Sequence, residues 1–132
     1  VQSLGLEKVV TFLGPCDDIV DIINTLDLFV LPSLHEGLPT VLIEAMSLGV
    51  PVVASATGGV CEVLTDGWNG ILAKPHDDLS LATGCLRIIS DPSVTAKLKT
   101  NAGREIRKYE SMRIMASLLF LYGEVLHRYA AG

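Results

Sequence analysis

Basic residues are scarce in this sequence: ten Lys and Arg stand against fifteen Asp and Glu, a formal net charge of -5 over 132 residues. Nonspecific nucleic-acid binding draws on clustered Lys and Arg to neutralise phosphates, so no nucleic-acid partner is expected. Cysteine is scarce too. Cys16, Cys61 and Cys85 are an odd number without close pairing, which excludes a disulfide framework and a cysteine-based zinc site and implies a reducing cytoplasm. Long hydrophobic runs are missing: the most apolar late stretch, Ile114 to Leu126, is too short to span a bilayer and carries Glu124. With no signal-peptide pattern, repeat, linker or low-complexity tract, the sequence reads as a soluble chain with no transmembrane segment.

What the sequence does have is apolar character, 49% of residues, in short runs bounded by turn residues. Val9 to Leu13, Leu28 to Leu31, Val50 to Ala54 and Gly70 to Ala73 are continuous rather than alternating, the pattern of buried parallel strands. Helical segments lie between them. Asp17 and Asp18 open one that runs to Leu26, with acidic residues suited to a helix start. Leu38 to Leu48 is a second, ended by Gly49 and Pro51, and Val60 to Leu64 is a short third. After Asp77 the pattern is helical only: Leu79 to Ile89, then Pro92 to Tyr109, then a final helix capped by Ser111. In that last helix Ile114, Met115, Leu118, Leu119, Tyr122, Val125, Leu126 and Tyr129 form one apolar stripe that needs a partner surface, and a dimer would supply one. The alternation predicts an α/β fold: a Rossmann-like, doubly wound parallel sheet with C-terminal helices, ligands binding at the carboxyl ends of the strands.

The densest functional signal runs from Pro32 to Met46, directly after the Leu28 to Leu31 strand. A strand, a glycine-containing turn and then a helix aims free backbone amides at an anion. Two carboxylates flank the turn, Glu36 and Glu44, separated by seven residues. Inside a helix and among Val41, Leu42, Ile43, Ala45 and Met46, Glu44 needs a hydrogen-bonding partner, and the vicinal hydroxyls of a sugar or a ribose would serve. The bland alternative also fits the spacing: Glu36 solvated in a turn, Glu44 pointing outward from an amphipathic helix.

This segment resembles the Glu, seven residues, Glu motif of retaining glycosyltransferases of the GT-B fold, family 4, in their C-terminal donor-binding domain. The likeness extends through Val10-Thr11-Phe12-Leu13-Gly14, similar to that family's third strand, and Asp27-Leu28-Phe29-Val30-Leu31-Pro32-Ser33, similar to its fourth. It continues through Ala45 to Ser55, Gly58-Gly59-Val60-Cys61-Glu62-Val63 and Asp66-Gly67-Trp68-Asn69-Gly70-Ile71-Leu72, so order and spacing agree over about residues 9 to 76.

The resemblance implies donor binding by a nucleotide diphosphate sugar carrying UDP, GDP or ADP, without metal or other cofactor. It implies that Glu44 holds the ribose hydroxyls, that Glu36 contacts and positions the transferred sugar, and that the amides of Gly37, Leu38, Thr40 and Val41 meet sugar or diphosphate. Gly58 and Gly59 become possible loop contacts, and Gly14-Pro15 would flank the base. His35, Glu62 and Trp68 are weaker candidates with surface or packing roles. Pro39 stands where many relatives have a second glycine and removes one amide donor, and Cys61 stands where proline is commoner.

The family's Gly-Arg turn and nearby Lys, which neutralise the diphosphate, have no counterpart here, so residues 1–132 are expected to be one partial domain of a longer enzyme, with the acceptor-binding domain and first strands absent. The isolated piece would be inactive. The parent would build polysaccharide, lipopolysaccharide or glycolipid in the cytoplasm, at the inner face of the membrane if peripheral. A nucleotide-sugar epimerase of the same fold and a non-catalytic nucleotide-binding module are the alternatives. In a 3-2-1-4-5-6 sheet order the Val9 to Leu13 strand lies two places from Leu28 to Leu31, so it is expected either to move beside that neighbour or to pair with another chain.

Overall fold

The structure is a computed structural model that describes residues 1–109 together with Tyr122. Its centre is a three-stranded sheet, β1 (Phe29–Leu31), β2 (Val52–Ser55) and β3 (Ile71–Ala73), all parallel and adjacent in chain order. The register sets Phe29 against Val52, and Val53 against Ile71. Among the described residues five helices accompany it: α1 (Ile19–Asn24), α2 (Thr40–Ser47), α3 (Val60–Val63), α4 (Asp78–Ser90) and α5 (Pro92–Glu105). Short 3-10 turns cover Gln2–Leu4 and Ile106–Tyr109.

The central strand explains the layering. Successive side chains of a strand point to opposite faces, and here all four positions of β2 are buried. Val52 and Ala54 join Ile23, Leu42, Ala45, Met46, Val60 and Val63 in one core beneath α2. Val53 turns the other way, into a second core with Ile71, Ala73, Ile88 and Leu98 beneath α4 and α5. Gly84 on α4 lets that helix approach closely: a Cβ there would come to 3.0 Å from methyls of Val53 and Ile71. Both faces of the sheet are thus covered, as the unbroken apolar runs predict for parallel strands.

Several boundaries move for identifiable reasons. α2 begins at Thr40 and not Leu38, because a residue preceding proline is steered out of the helical region and Pro39 therefore becomes the N-cap. Gly49 ends α2 as expected, at φ 72, with Gly49 N–H bonding the Met46 carbonyl and Val50 N–H bonding that of Ala45. That capping consumes Val50, and Pro51 lacks an amide hydrogen, so β2 starts two residues later than the apolar run. α1 stops at Asn24, where the Thr25 and Leu26 amides close tighter bonds onto Ile22 and Ile23. α5 gives way to a 3-10 turn after Glu105.

The strand expected at Val9 to Leu13 is a correction. These residues form no strand, and residues 1 to 20 are exposed throughout, Val9, Phe12 and Leu13 heavily so. A strand needs a ladder, and in the expected order further strands would have to lie between this segment and β1. The described residues contain no such strands, and the segment does not move beside β1 in their place. The final helix from Ser111 and its stripe from Ile114 to Tyr129, Tyr122 apart, lie outside the described residues. Among the described residues no helix is long and apolar enough to cross a membrane.

The second long helix has a charge-dependent start. Asp91 caps α5, its Oδ1 accepting from the amides of Ser93 (2.9 Å) and Val94 (3.2 Å) and from the Ser93 hydroxyl (2.6 Å). The Ser93 hydroxyl, then these amides, hold the Asp91 carboxyl below its ordinary value. A depressed carboxyl pKa contributes stability above the unfolded value, near 4, that is lost as pH falls through the folded one. Asp91→Asn keeps a capping oxygen without the titration, so its melting temperature should fall less steeply than wild type below pH about 4. Parallel acid limbs for the two proteins would contradict this.

Candidate functional site

The site is built where β1 and β2 end. β1 leads through Pro32 to Leu38 into α2, and β2 leads through Ala56 and Thr57 into the Gly58-Gly59 turn and α3. The two loops are fastened together by one backbone and one side-chain hydrogen bond. Gly59 N–H bonds the Glu36 carbonyl at 3.0 Å, and the Thr57 hydroxyl bonds the Ser33 carbonyl at 3.3 Å. The fit leaves no room for side chains: a Cβ on Gly58 would overlap the Glu36 carbonyl oxygen, and one on Gly59 would overlap the Gly37 carbonyl and lie 3.4 Å from Leu38 Cα. Gly58 also takes φ 38, a left-handed value that favours glycine. These two glycines therefore set the shape of the Glu36–Gly37 turn; their close approach is to the other loop.

That turn delivers the features the sequence pointed to. Glu36 is half-buried, Gly37 and Leu38 are exposed, and Thr40 is exposed at the first position of α2 with half-buried Val41 beside it. The amides of Leu42 and Ile43 bond the Pro39 carbonyl, at 3.0 and 3.3 Å. Those of Gly37, Leu38, Thr40 and Val41 find no acceptor among the described residues. Pro39 has no amide to contribute and is instead fully buried, so it anchors the turn. Glu44 is half-buried one turn into α2, and among the described residues neither its carboxylate nor that of Glu36 meets a donor or a cation. Unsatisfied amides at a helix start, with an unpaired carboxylate before them in the turn and another further along the helix, suit a ligand that carries both an anionic group and hydroxyls.

The weaker candidates separate from this cluster. His35 is exposed. Glu62 is exposed on α3, and its carbonyl accepts from the Tyr109 hydroxyl at 3.4 Å, a packing contact. Trp68 serves its turn through its carbonyl, which accepts from Asn101 Nδ2 at 2.8 Å. Gly14 and Pro15 are exposed and share no hydrogen bond with the turn among the described residues. The tie through Thr57 was not read from the sequence, although a hydroxyl residue directly before Gly-Gly in a strand-to-helix loop is a usable signal.

This is the carboxyl end of a Rossmann-like parallel sheet with helices on both faces, the architecture of a GT-B glycosyltransferase domain. Residues 1–107 match the family model described as glycosyl transferases group 1, and the chain belongs to that family. Among curated relatives, the D-inositol 3-phosphate glycosyltransferase of Salinispora arenicola is 34% identical over 129 residues, covering 96% of this chain and 29% of the relative. Among solved structures, Anabaena HepE in complex with UDP and glucose is 33% identical with a TM-score of 0.80, covering 96% of this chain and 34% of that one. The C-terminal domain of a glycosyl transferase group 1 family protein, LpcC, from Francisella tularensis is 28% identical with a TM-score of 0.73, covering 84% and 59%. The chain thus spans about three tenths of the length of the curated relatives it matches.

The glycine contact can be tested directly. Gly59→Ala should lower stability in urea unfolding by about 1 to 3 kcal/mol or more, since the methyl group must displace backbone. Gly103→Ala, in α5 with open space around it, should be neutral or stabilising by up to about 1 kcal/mol. Equal effects at both positions would mean that the loop contact is not tight.

Proposed function

We propose that this chain is the donor-binding portion of a retaining, family 4 glycosyltransferase that moves a sugar from a nucleotide diphosphate sugar to an acceptor. The observation that carries the reading is a turn at the carboxyl end of a parallel sheet with four unsatisfied amides and the unpaired Glu36, leading into a helix whose half-buried Glu44 is also unpaired among the described residues. Family membership and the UDP-bound state of a structural neighbour support it.

In this reading Glu44 accepts hydrogen bonds from the ribose hydroxyls, which gives a half-buried carboxylate its missing partners. Glu36 accepts from hydroxyls of the transferred sugar and positions it. The amides of Gly37, Leu38, Thr40 and Val41, at the positive end of α2, face the diphosphate or the sugar. Such dipoles are fixed before the leaving group gains charge, so they stabilise it without reorganising. No metal or other cofactor is assigned a role. The acceptor is held mainly by a separate N-terminal domain. The product belongs to polysaccharide, lipopolysaccharide or glycolipid synthesis at the cytoplasmic side of a membrane.

Calorimetric titration of the chain with UDP, GDP and ADP, free and as sugar conjugates, tests this. One base series should bind, and Glu44→Gln should weaken it by about 10- to 100-fold, the worth of hydrogen bonds to a charged group. Binding indifferent to Glu44→Gln, or no binding by any series, would count against the site.

A further inference from the structure

A second concavity lies at the same end of the sheet, on the α4 side. It holds about 240 Å³ and is bounded by Pro32 and Leu34 of the β1–α2 loop, Ser55 at the end of β2, Lys74 and His76 after β3, and the start of α4. Ser55 follows Val53 by two residues, so it shares that residue's face of the sheet. It is only 5% exposed, and among the described residues its Oγ has no hydrogen-bond partner. No fully enclosed side-chain oxygen or nitrogen among the described residues is unsatisfied, so this Oγ opens into the pocket it lines. A buried hydroxyl without a protein partner wants one from a ligand or a solvent molecule.

The rim has its own irregularity. His76 has φ 58, the one positive value at a non-glycine among the described residues, and it sits on the pocket wall. Glycine would take this conformation freely, and histidine is one of the few L-residues that enter it more often than most.

The charge pattern selects the ligand. Lys74 brings one cation, while Asp77 and Asp78 bring two carboxylates, so a phosphate would meet net repulsion. One Asp77 oxygen is already occupied by the Ser80 amide at 2.8 Å. What is left is an interleaved set of donors and acceptors: Lys74 ammonium, His76 imidazole, Ser55 hydroxyl and the Asp78 carboxylate. Pro32, Leu34 and Leu81 add apolar wall. Ring hydroxyls both donate and accept, and the C–H face of a pyranose covers apolar side chains.

We propose that this pocket is a subsite for an uncharged pyranose ring, with Ser55 at its floor and Lys74 and His76 at its rim. It deepens the glycosyl-transfer reading and rests on it for the source of the sugar, which is either the donor's transferred residue or a sugar of the acceptor. The β1–α2 loop links the two sites, since Leu34 walls the pocket two residues before Glu36.

The test is an amide-resolved NMR titration of the chain with methyl α-glucoside, methyl α-N-acetylglucosaminide, UDP, UDP-glucose and inorganic phosphate. At least one neutral glycoside, or the glucose of UDP-glucose beyond the effect of UDP alone, should shift the amides of Leu34, Ser55, Lys74 and His76. The first result assigns the acceptor side and the second the donor sugar. Ser55→Ala should weaken that binding by about 10-fold, the worth of one hydrogen bond. His76→Gly should weaken it too while folding at least as stably, because glycine suits the backbone. Shifts caused by phosphate alone, unchanged binding in both variants, or no shift at these amides would overturn the proposal. UDP-glucose shifting Gly37, Thr40 and Val41 but not the pocket would sink the pocket and leave the donor site standing. Glycoside shifts in the pocket with no UDP-glucose effect near Glu44 would do the reverse.

Discussion

The contact on which the carboxyl end of this fold depends is the approach of one loop's backbone to another's. Gly58 and Gly59 lie against the Glu36 and Gly37 carbonyls so closely that no Cβ fits at either glycine, and the Gly59 amide is bonded to Glu36 across the gap. Close packing of this kind leaves the Glu36–Gly37 turn few alternatives, because moving it would open a void or break that bond. The helix start inherits the constraint. Pro39 is buried beneath the turn and fixes where α2 begins, which decides which amides remain free and where along the helix Glu44 falls. A proposed binding role for six residues thus rests on two glycines and a proline that need not touch the ligand.

The central strand divides the labour between the two faces. Val52 and Ala54 commit one face to the α2 core, and Val53 commits the other to the α4 core. Because β2 is buried at every position, its residues cannot trade faces without exposing apolar area on one side and crowding the other. Ser55 is the polar residue at the end of that strand, where the core gives way to the pocket. The turn at Asp66 to Gly70 performs the matching task before β3. Asn69 is buried and bonds the Thr65 amide and the Val63 carbonyl, while Asp66 accepts from Leu72 on the outer edge of β3. Asp66 thereby stands in for a ladder partner that the edge strand lacks, while Asn69 satisfies backbone groups of the turn itself.

Much of this was legible in the sequence, and what was missed has common physical causes. The continuous apolar runs located three of the strands, and Gly49 with Pro51 located the end of α2, because local chemistry decides both. The strand-turn-helix signal located the turn that holds Glu36 between β1 and α2. Strand formation at Val9 to Leu13 was not decided locally: the pattern is that of a buried strand, but hydrogen bonds in a sheet come from a neighbour, and the described residues provide none beside it. The roles of Gly58 and Gly59 were equally hidden. Adjacent glycines in a sequence indicate freedom of the backbone, and only the fold shows that the freedom is used to remove two Cβ atoms from the path of another loop. His76 was invisible for the converse reason, since a histidine carries no mark of a left-handed backbone.

Net charge and local field point in opposite directions here, and at the proposed site the local field would govern recognition. The chain carries -5 overall, which repels a doubly charged diphosphate at long range. That repulsion is screened over about 10 Å at 0.1 M salt, whereas unsatisfied amides at a helix start act within the first turn. Glu36 and Glu44 would add repulsion if the phosphates approached them directly, so a productive pose keeps the carboxylates on hydroxyl groups and the amides on the anion. The order of the turn along the chain, carboxylate, amides, then carboxylate again inside α2, therefore favours an elongated ligand with a charged centre and polyhydroxyl ends over a simple phosphate. A nucleotide diphosphate sugar has that distribution, with ribose on one side of its charge and the transferred sugar on the other.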